Sequence, residues 1–407
     1  MRILISAGEA SGEMYGAQLM EELRSELSGK QRAEAAVEAT NPTSSKQSVV
    51  QSRPQDTIEF FGVGGEKMRA AGCDTVVDAK DLAVVGITEI LNHLPKIWRL
   101  FHQLIEEADR RRPDLAIVID SPAFNWRVAR QMKKRAIPVV YYVCPQFWAW
   151  RQGRVKLLRK YVDKALVIFP FEEIFYRNRG VDAEFIGHPL AELSRPAISR
   201  PEYAARFELD PTRQWVTIMP GSRRKEVRMN LPGILEAAGL LSGEFEFLLP
   251  VAPTLDEKYF QPFLGPAEKV RERVHLVPEA LPALAHSRAG VIASGTATVE
   301  AALMGLPFVM VYRVTPMTYL LGKSAVKVPY FAMVNLMAGE KIVPELVQRD
   351  FTPVNVAAEV NKIVADGNSR DAMLQGLQRV KTGLKGSNLA ISAPARAAAA
   401  IRALLGR

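Results

Sequence analysis

The chain has little cysteine or histidine: two and five residues in 407. Cys73 and Cys144 stand apart, outside any CxxC or metal-type spacing. That excludes a disulfide-stapled fold and fits a reducing cytosol with both thiols buried as small hydrophobes. His93, His102, His188, His275 and His286 are scattered, and no DxD triplet is present. No metal and no other cofactor is expected. No run approaches 18 uninterrupted apolar residues, so no transmembrane helix is expected and membrane attachment would be peripheral. The opening MRILISAGEASGE has too short an apolar run for a signal peptide. GxSxG is missing, the 62–67 loop GVGGEK fails the GxGxxG spacing, and no Walker A loop occurs. Ser-His-Asp hydrolysis, NAD and ATP are thereby unsupported.

What is present is ordinary globular stock, 48% hydrophobic and 24% charged, long enough for two or three domains. The net charge of +9 is uneven. Residues 127–164 hold eleven basic side chains against one acid, Asp163. A basic surface of this kind implies phosphate, acidic lipid or nucleic acid as partner, though exposed lysines and arginines also serve plain solubility. No nucleic-acid-binding signature accompanies it, so nucleic acid is not expected.

Short apolar runs alternate with helical spacing. RILISA (2–7), IEFFG (58–62), LAIVID (115–120), PVVYYV (138–143), ALVIF (165–169) and AEFIG (183–187) read as strands. After a proline-rich stretch, WVTIMP (215–220), EFLLPV (246–251), VHLV (274–277), AGVIAS (289–294) and PFVMVY (307–312) resume the pattern. This βαβ rhythm predicts an α/β chain of two Rossmann-like halves, each on a parallel sheet. The expected division is an N-terminal domain over 1–190, a linker over 191–213, a second domain over 214–350 and C-terminal helices over 351–407. Residues 29–56 lack a hydrophobic stripe and read as a mobile insertion.

The candidate chemistry sits where strands end. SAGEASGE (6–13) turns tightly at Gly8 and Gly12 and offers Glu9 at the strand edge; Glu13 reads equally as a helix-dipole partner. Asp120 closes a buried strand, where a carboxylate is costly unless solvated or used, and is the first choice for a general base. Capping the next helix is its plainer role. CPQFWAWRQGR (144–154) brings Trp148, Trp150 and Arg151 to another strand edge, as pocket walls, an interfacial belt or core. In the second half, Gly221, Ser222 and Arg223 of MPGSRR and Ser294, Gly295 and Thr296 of ASGTATVE form two strand-to-helix turns suited to a diphosphate, with Glu300 one turn on for a ribose diol. Capping boxes look similar. Finally, 81–105 carries a wide apolar stripe including Ile87, Ile90, Leu91 and Trp98, flanked by basic residues. It suits a bilayer or acyl chains, and packing on its own sheet accounts for it equally well.

Ten motifs occur in order: SAGEASGE, VGITEIL, DSPAFN, CPQFWAWRQGR, FPFE (169–172), FIGHPL (185–190), MPGSR, ASGTATVE, VYRVTP (311–316) and VNLMAGE (334–340). Over residues 1 to about 350 the chain thereby resembles the lipid-A-disaccharide synthases, inverting glycosyltransferases of the GT-B fold, with two Rossmann-like domains facing a central cleft. The resemblance implies a UDP-2,3-diacylglucosamine donor, a 2,3-diacylglucosamine 1-phosphate acceptor, and UDP plus a β-1,6 lipid A disaccharide phosphate as products. It puts the acceptor base on Asp120 and a family glutamate on Glu9. UDP contacts fall on Arg223, Ser294, Gly295, Thr296, Glu300, Arg313 and Asn335. It also implies attachment to the anionic cytoplasmic face of the inner membrane. Exchange of the C-terminal part between subunits, known in that family, admits a homodimer. Ala123 stands where the family commonly has a second acid. Other UDP-sugar enzymes of this fold, such as a 2-epimerase or a peptidoglycan-type transferase, or a non-catalytic nucleotide- or lipid-binding relative, are the alternative readings.

Overall fold

Runs of Ile, Val, Leu and Phe form strands buried on both faces, as parallel sheets covered by helices require. The computed structural model describes residues 1–8, 10–39, 58–82, 87–242, 244–316, 319, 328–385 and 391–406. The chain divides into two units, residues 1–189 with 386–407, and residues 190–385.

In the first unit, β1 (Arg2–Ala7), β2 (Glu59–Gly64), β3 (Cys73–Asp78), β4 (Leu115–Ile119), β5 (Val139–Tyr142), β6 (Lys164–Val167) and β7 (Ala183–Phe185) lie in the order β3-β2-β1-β4-β5-β6-β7. All pairings are parallel. Helices α1 (Ala10–Ala39), α2 (Ile87–Arg111), α3 (Pro122–Lys134), α4 (Phe147–Trp150) and α5 (Pro170–Arg177) connect them. In the second unit, after α6 (Arg200–Arg206), come β8 (Gln214–Met219), β9 (Phe245–Pro250), β10 (Val274–Val277), β11 (Ala289–Ala293), β12 (Phe308–Tyr312) and β13 (Glu345–Val347). Their order is β10-β9-β8-β11-β12-β13, again wholly parallel. Here α7 (Arg224–Leu240), α8 (Ala297–Met304), α9 (Met333–Ala338), α10 (Pro353–Val364) and α11 (Asn368–Lys385) cover the sheet. The last helix, α12 (Ala393–Leu404), returns to the first unit and packs on α1.

Several elements differ from the sequence reading. β3 and β13 were not expected. Both are edge strands, and CDTVVD is only partly buried instead of running apolar. Residues 29–39 continue α1, because KQRAEAAVEA is rich in strong helix formers; the rest of the expected insertion, 40–56, lies outside the described residues. Residues 191–213 are not a bare linker. Ser199 and Glu202 form a capping box that starts α6, and Tyr203, Ala204 and Leu209 pack around Trp215 at the head of β8. The Arg200 guanidinium lies 3.9 Å over the Trp215 ring, and the indole N–H donates to the Asp210 carbonyl at 3.1 Å.

Trp215→Ala should therefore cost about 3–5 kcal/mol through the cavity it leaves. Urea unfolding checks this; a change within about 0.5 kcal/mol of wild type would mean that residues 200–210 do not pack there.

Candidate active site

In an open parallel sheet, ligands bind outside the strand C-termini where the strand order reverses. Each unit has one such point, between β1 and β4 and between β8 and β11. Four of the loops singled out from sequence follow these strands, and CPQFWAWRQGR follows β5.

In the first unit the loops after β1 and β4 touch. A Cβ on Gly8 would sit 2.5 Å from Ser121 Oγ, so any larger residue would displace the Ser121 side chain. Asp120 and Ser121 both adopt φ 45°, the left-handed region that side chains normally avoid. Asn125, in the first turn of α3, holds this backbone. Its Nδ2 donates to the carbonyls of Ile119 at 2.8 Å, Asp120 at 2.9 Å and Ser6 at 3.2 Å. Its Oδ1 accepts from Ser6 Oγ at 2.7 Å. Tyr141 Oη adds a second bond to the Asp120 carbonyl at 2.8 Å. Asp120 is thus presented at the switch point by a rigid frame. Glu9 lies outside the described residues. Glu13 instead takes the Lys67 N–H at 2.6 Å, which anchors the 62–67 loop.

The loop after β5 is anchored from α5. Glu172 is completely buried, yet its carboxylate accepts three donors: Trp148 Nε1 at 2.7 Å and the N–H groups of Ile168 at 3.1 Å and Phe169 at 3.0 Å. Burial still pushes its pKa up to about 7 against those bonds. Tyr176 Oη donates to the Pro145 carbonyl. His188, packed against Phe169, is pushed down to about 4 by burial. FPFE and FIGHPL are therefore supports for the aromatic loop. Trp148 is a core ring, not an interfacial one, because its only polar atom is spent on Glu172. The side chain of Trp150 lies outside the described residues, and Arg151 is exposed.

In the second unit, Gly221 has φ +122° and lies against Glu226. Glu226 Oε2 accepts the N–H groups of Ser222 at 3.0 Å and Arg223 at 3.3 Å, while the Arg223 guanidinium stays exposed. Asn230 is completely buried in α7. It donates to the Pro220 carbonyl at 2.9 Å and accepts the Arg313 N–H at 3.0 Å, tying the loops after β8 and β12. Arg313 also donates to the Phe351 carbonyl and lies 4.5 Å over that ring. Gly295 has φ +151° with open space around it. Thr296 is exposed ahead of α8, and burial raises the pKa of Glu300. Two expected UDP contacts are already engaged. Ser294 spends its hydroxyl on the Phe331 carbonyl and its N–H on the Val311 carbonyl. Asn335 has every polar position filled by protein.

The apolar 81–105 stripe divides. Phe101, Leu104 and Ile105 pack inward, whereas Leu94 and Trp98 are 49% and 57% exposed. The side chains of Ile87, Ile90 and Leu91 lie outside the described residues. Part of the basic segment is neutralised from outside it: Arg135 pairs with Asp109 at 2.5 Å and Lys164 with Glu184 at 3.0 Å. Arg154 is held below the usual arginine range by burial, with Arg151 and Arg127 close enough to add to the effect. Among the described residues no group of three or more His, Cys, Asp or Glu could hold a metal ion, and no helix is long and apolar enough to cross a membrane.

Two parallel sheets, each with anion-suited or carboxylate-bearing loops at its switch point, make this a two-unit α/β protein of the GT-B fold. Solved structures agree on the fold. The calicheamicin glycosyltransferase CalG4 superimposes with a TM-score of 0.58 at 16% identity, covering 100% of this chain and 98% of that one. A UDP-GlcNAc 2-epimerase from Neisseria meningitidis, bound to UDP-GlcNAc, gives 0.57 at 12% over the full length of both. Sequence is more specific. The lipid-A-disaccharide synthetase family model matches residues 3–398. The lipid-A-disaccharide synthase of Koribacter versatilis is 51% identical over 100% of this chain and 99% of its own length. That of Acidobacterium capsulatum is 43% identical over 94% and 91%. The chain belongs to the lipid-A-disaccharide synthase family.

Sequence reasoning missed Asn125, Asn230 and Glu172. An asparagine at a core-facing helical position is the available signal, since Asn disfavours helix interiors unless its amide is used. Asn125→Leu removes the donor from three carbonyls and should cost at least about 2 kcal/mol. It should also lower glycosyl transfer by releasing the Asp120 backbone. Urea unfolding and a transfer assay check both; wild-type values in each would remove Asn125 from this role.

Proposed function

We propose that the chain transfers the sugar of UDP-2,3-diacylglucosamine to the 6-hydroxyl of 2,3-diacylglucosamine 1-phosphate with inversion, releasing UDP. Family membership supports the reaction class. The observation that carries the site assignment is Asp120, a carboxylate ending β4 at the switch point on a backbone held by Asn125 and Tyr141.

In this reading Asp120 takes the acceptor hydroxyl proton as the new C–O bond forms at the anomeric carbon and the bond to UDP breaks. The leaving diphosphate gains negative charge. The Arg223 guanidinium and the N–H groups of Gly295 and Thr296 ahead of α8 would stabilise it, with Gly221 and Ser222 shaping the first turn. Glu300 would accept from the ribose hydroxyls, and Arg313, fixed by Asn230 and Phe351, would bound the nucleotide. Glu9, on which the family's first-loop glutamate falls, would be the second catalytic carboxylate. The arginines 127, 151 and 154 suit the acceptor phosphate or an anionic headgroup. Leu94 and Trp98 would insert among acyl chains at the cytoplasmic face of the inner membrane, beside that basic surface. A homodimer exchanging the C-terminal part would detach α12 from its own α1.

Asp120→Asn is the sharpest test, because asparagine tolerates the left-handed backbone at this position while losing basicity. Turnover with both diacylated substrates should fall about 10²- to 10⁴-fold with unfolding unchanged. Near-normal turnover removes Asp120 as the base. Binding to anionic vesicles should weaken with salt and with Leu94→Ser/Trp98→Ser, because screening and lost apolar contact act separately. Flotation indifferent to both would refute the membrane assignment.

A further inference from the structure

Asn335 fills its hydrogen-bonding capacity entirely within the protein. The amide NH₂ donates to the Val343 carbonyl at 3.0 Å and to Glu345 Oε1 at 2.8 Å. Its oxygen accepts the N–H groups of Ile342 and Val343, both at 2.9 Å. A side-chain amide has two donors and two acceptor lone pairs, so nothing is left for a ligand. The residue is also completely buried.

Glu345, the first residue of β13, completes the arrangement. Its Oε1 accepts the Ala332 N–H at 2.9 Å, and both its oxygens share the Phe331 N–H at 3.0 Å. Asn335 therefore fixes the turn that leads into β13, and Glu345 fixes residues 331–332 at the start of α9. The Phe331 carbonyl in turn accepts the Ser294 hydroxyl at 3.0 Å. Ser294 opens the loop whose next residues, Gly295 and Thr296, precede α8. The path from Asn335 to that loop is continuous, and every bond in it belongs to the second unit.

We propose that Asn335 and Glu345 are positioning residues for the donor site: through Phe331 and Ser294 they set the loop that binds the diphosphate, and neither touches UDP. This rests on the donor-site reading above and gives Ser294 and Asn335, both expected from the resemblance to contact UDP, a supporting part instead. Ser294 becomes a link in the support, and Gly295, Thr296 and Ala297 are left as the donors at the opening of α8, ahead of any helical partner.

The test uses the full chain as Asn335→Ala, Glu345→Gln and the double variant. Glu345→Gln keeps shape and one acceptor oxygen, so the question can be answered where Asn335→Ala unfolds. Calorimetry measures UDP affinity, kinetics separates donor KM from acceptor KM, and hydrogen exchange without ligand follows residues 294–300. Each single variant should weaken UDP about tenfold, and the double no further than the weaker single, as coupled groups do. Donor KM should rise while acceptor KM stays, and exchange at 294–300 should quicken. Losses that multiply in the double variant would mean Asn335 contacts UDP and would overturn the proposal. So would wild-type exchange at 294–300 in Glu345→Gln, whether or not UDP binds. If the wild-type chain takes up no UDP, the donor-site reading fails, and the exchange result alone decides whether the pair sets the loop.

Discussion

The loops of this protein are held by buried side-chain amides that bond to main chain. Asn125, Asn230 and Asn335 are each completely buried; the first two tie loops at the C-terminal edge of a sheet, and the third fixes the turn that leads into β13. A neutral amide carries donors and acceptors in one plane, so it can satisfy a carbonyl on one loop and an N–H or hydroxyl on another. Burying it is costly unless all of these are matched. Once matched, the loops lose their independence. The left-handed backbone of Asp120 and Ser121 is held inside such a frame by Asn125.

Carboxylates do the complementary work on N–H groups. Glu13, Glu172, Glu226 and Glu345 each accept main-chain N–H groups at the start of a helix or loop. Glu172 is the extreme case, since its three donors favour the charged form while burial opposes it. A group whose folded pKa is raised favours the fold most below its unfolded pKa. That share of stability falls as pH rises from the normal glutamate range through about 7.

Most strands were legible because runs such as LAIVI are buried on both faces, and a short run with no polar face bounded by turn residues fits a covered parallel sheet. β3 and β13 were not, because edge strands need only one buried face or a few residues. The site loops were legible as turns after strands. The reaction class came from the order of the motifs and was supported by the family match. Residue type in a sequence does not separate a side chain that meets a ligand from one that holds the loop. Trp148, Ser294 and Asn335 have residue types suited to contact, yet their polar groups are spent on Glu172, Phe331 and the turn before β13.

Periodicity and turn chemistry alone determined a doubly repeated α/β chain with its chemistry at strand ends, because alternation and glycine placement act over a few residues. Which strand lies beside which, and so which loops share a switch point, was decided by the tertiary structure. So was the return of α12 to the first unit, past the whole of residues 190–385. The bonds that fix the site join residues 119 apart in Ser6–Asn125 and 83 apart in Asn230–Arg313. No local pattern can specify such a pair, because its energy exists only after the sheet has brought both ends together.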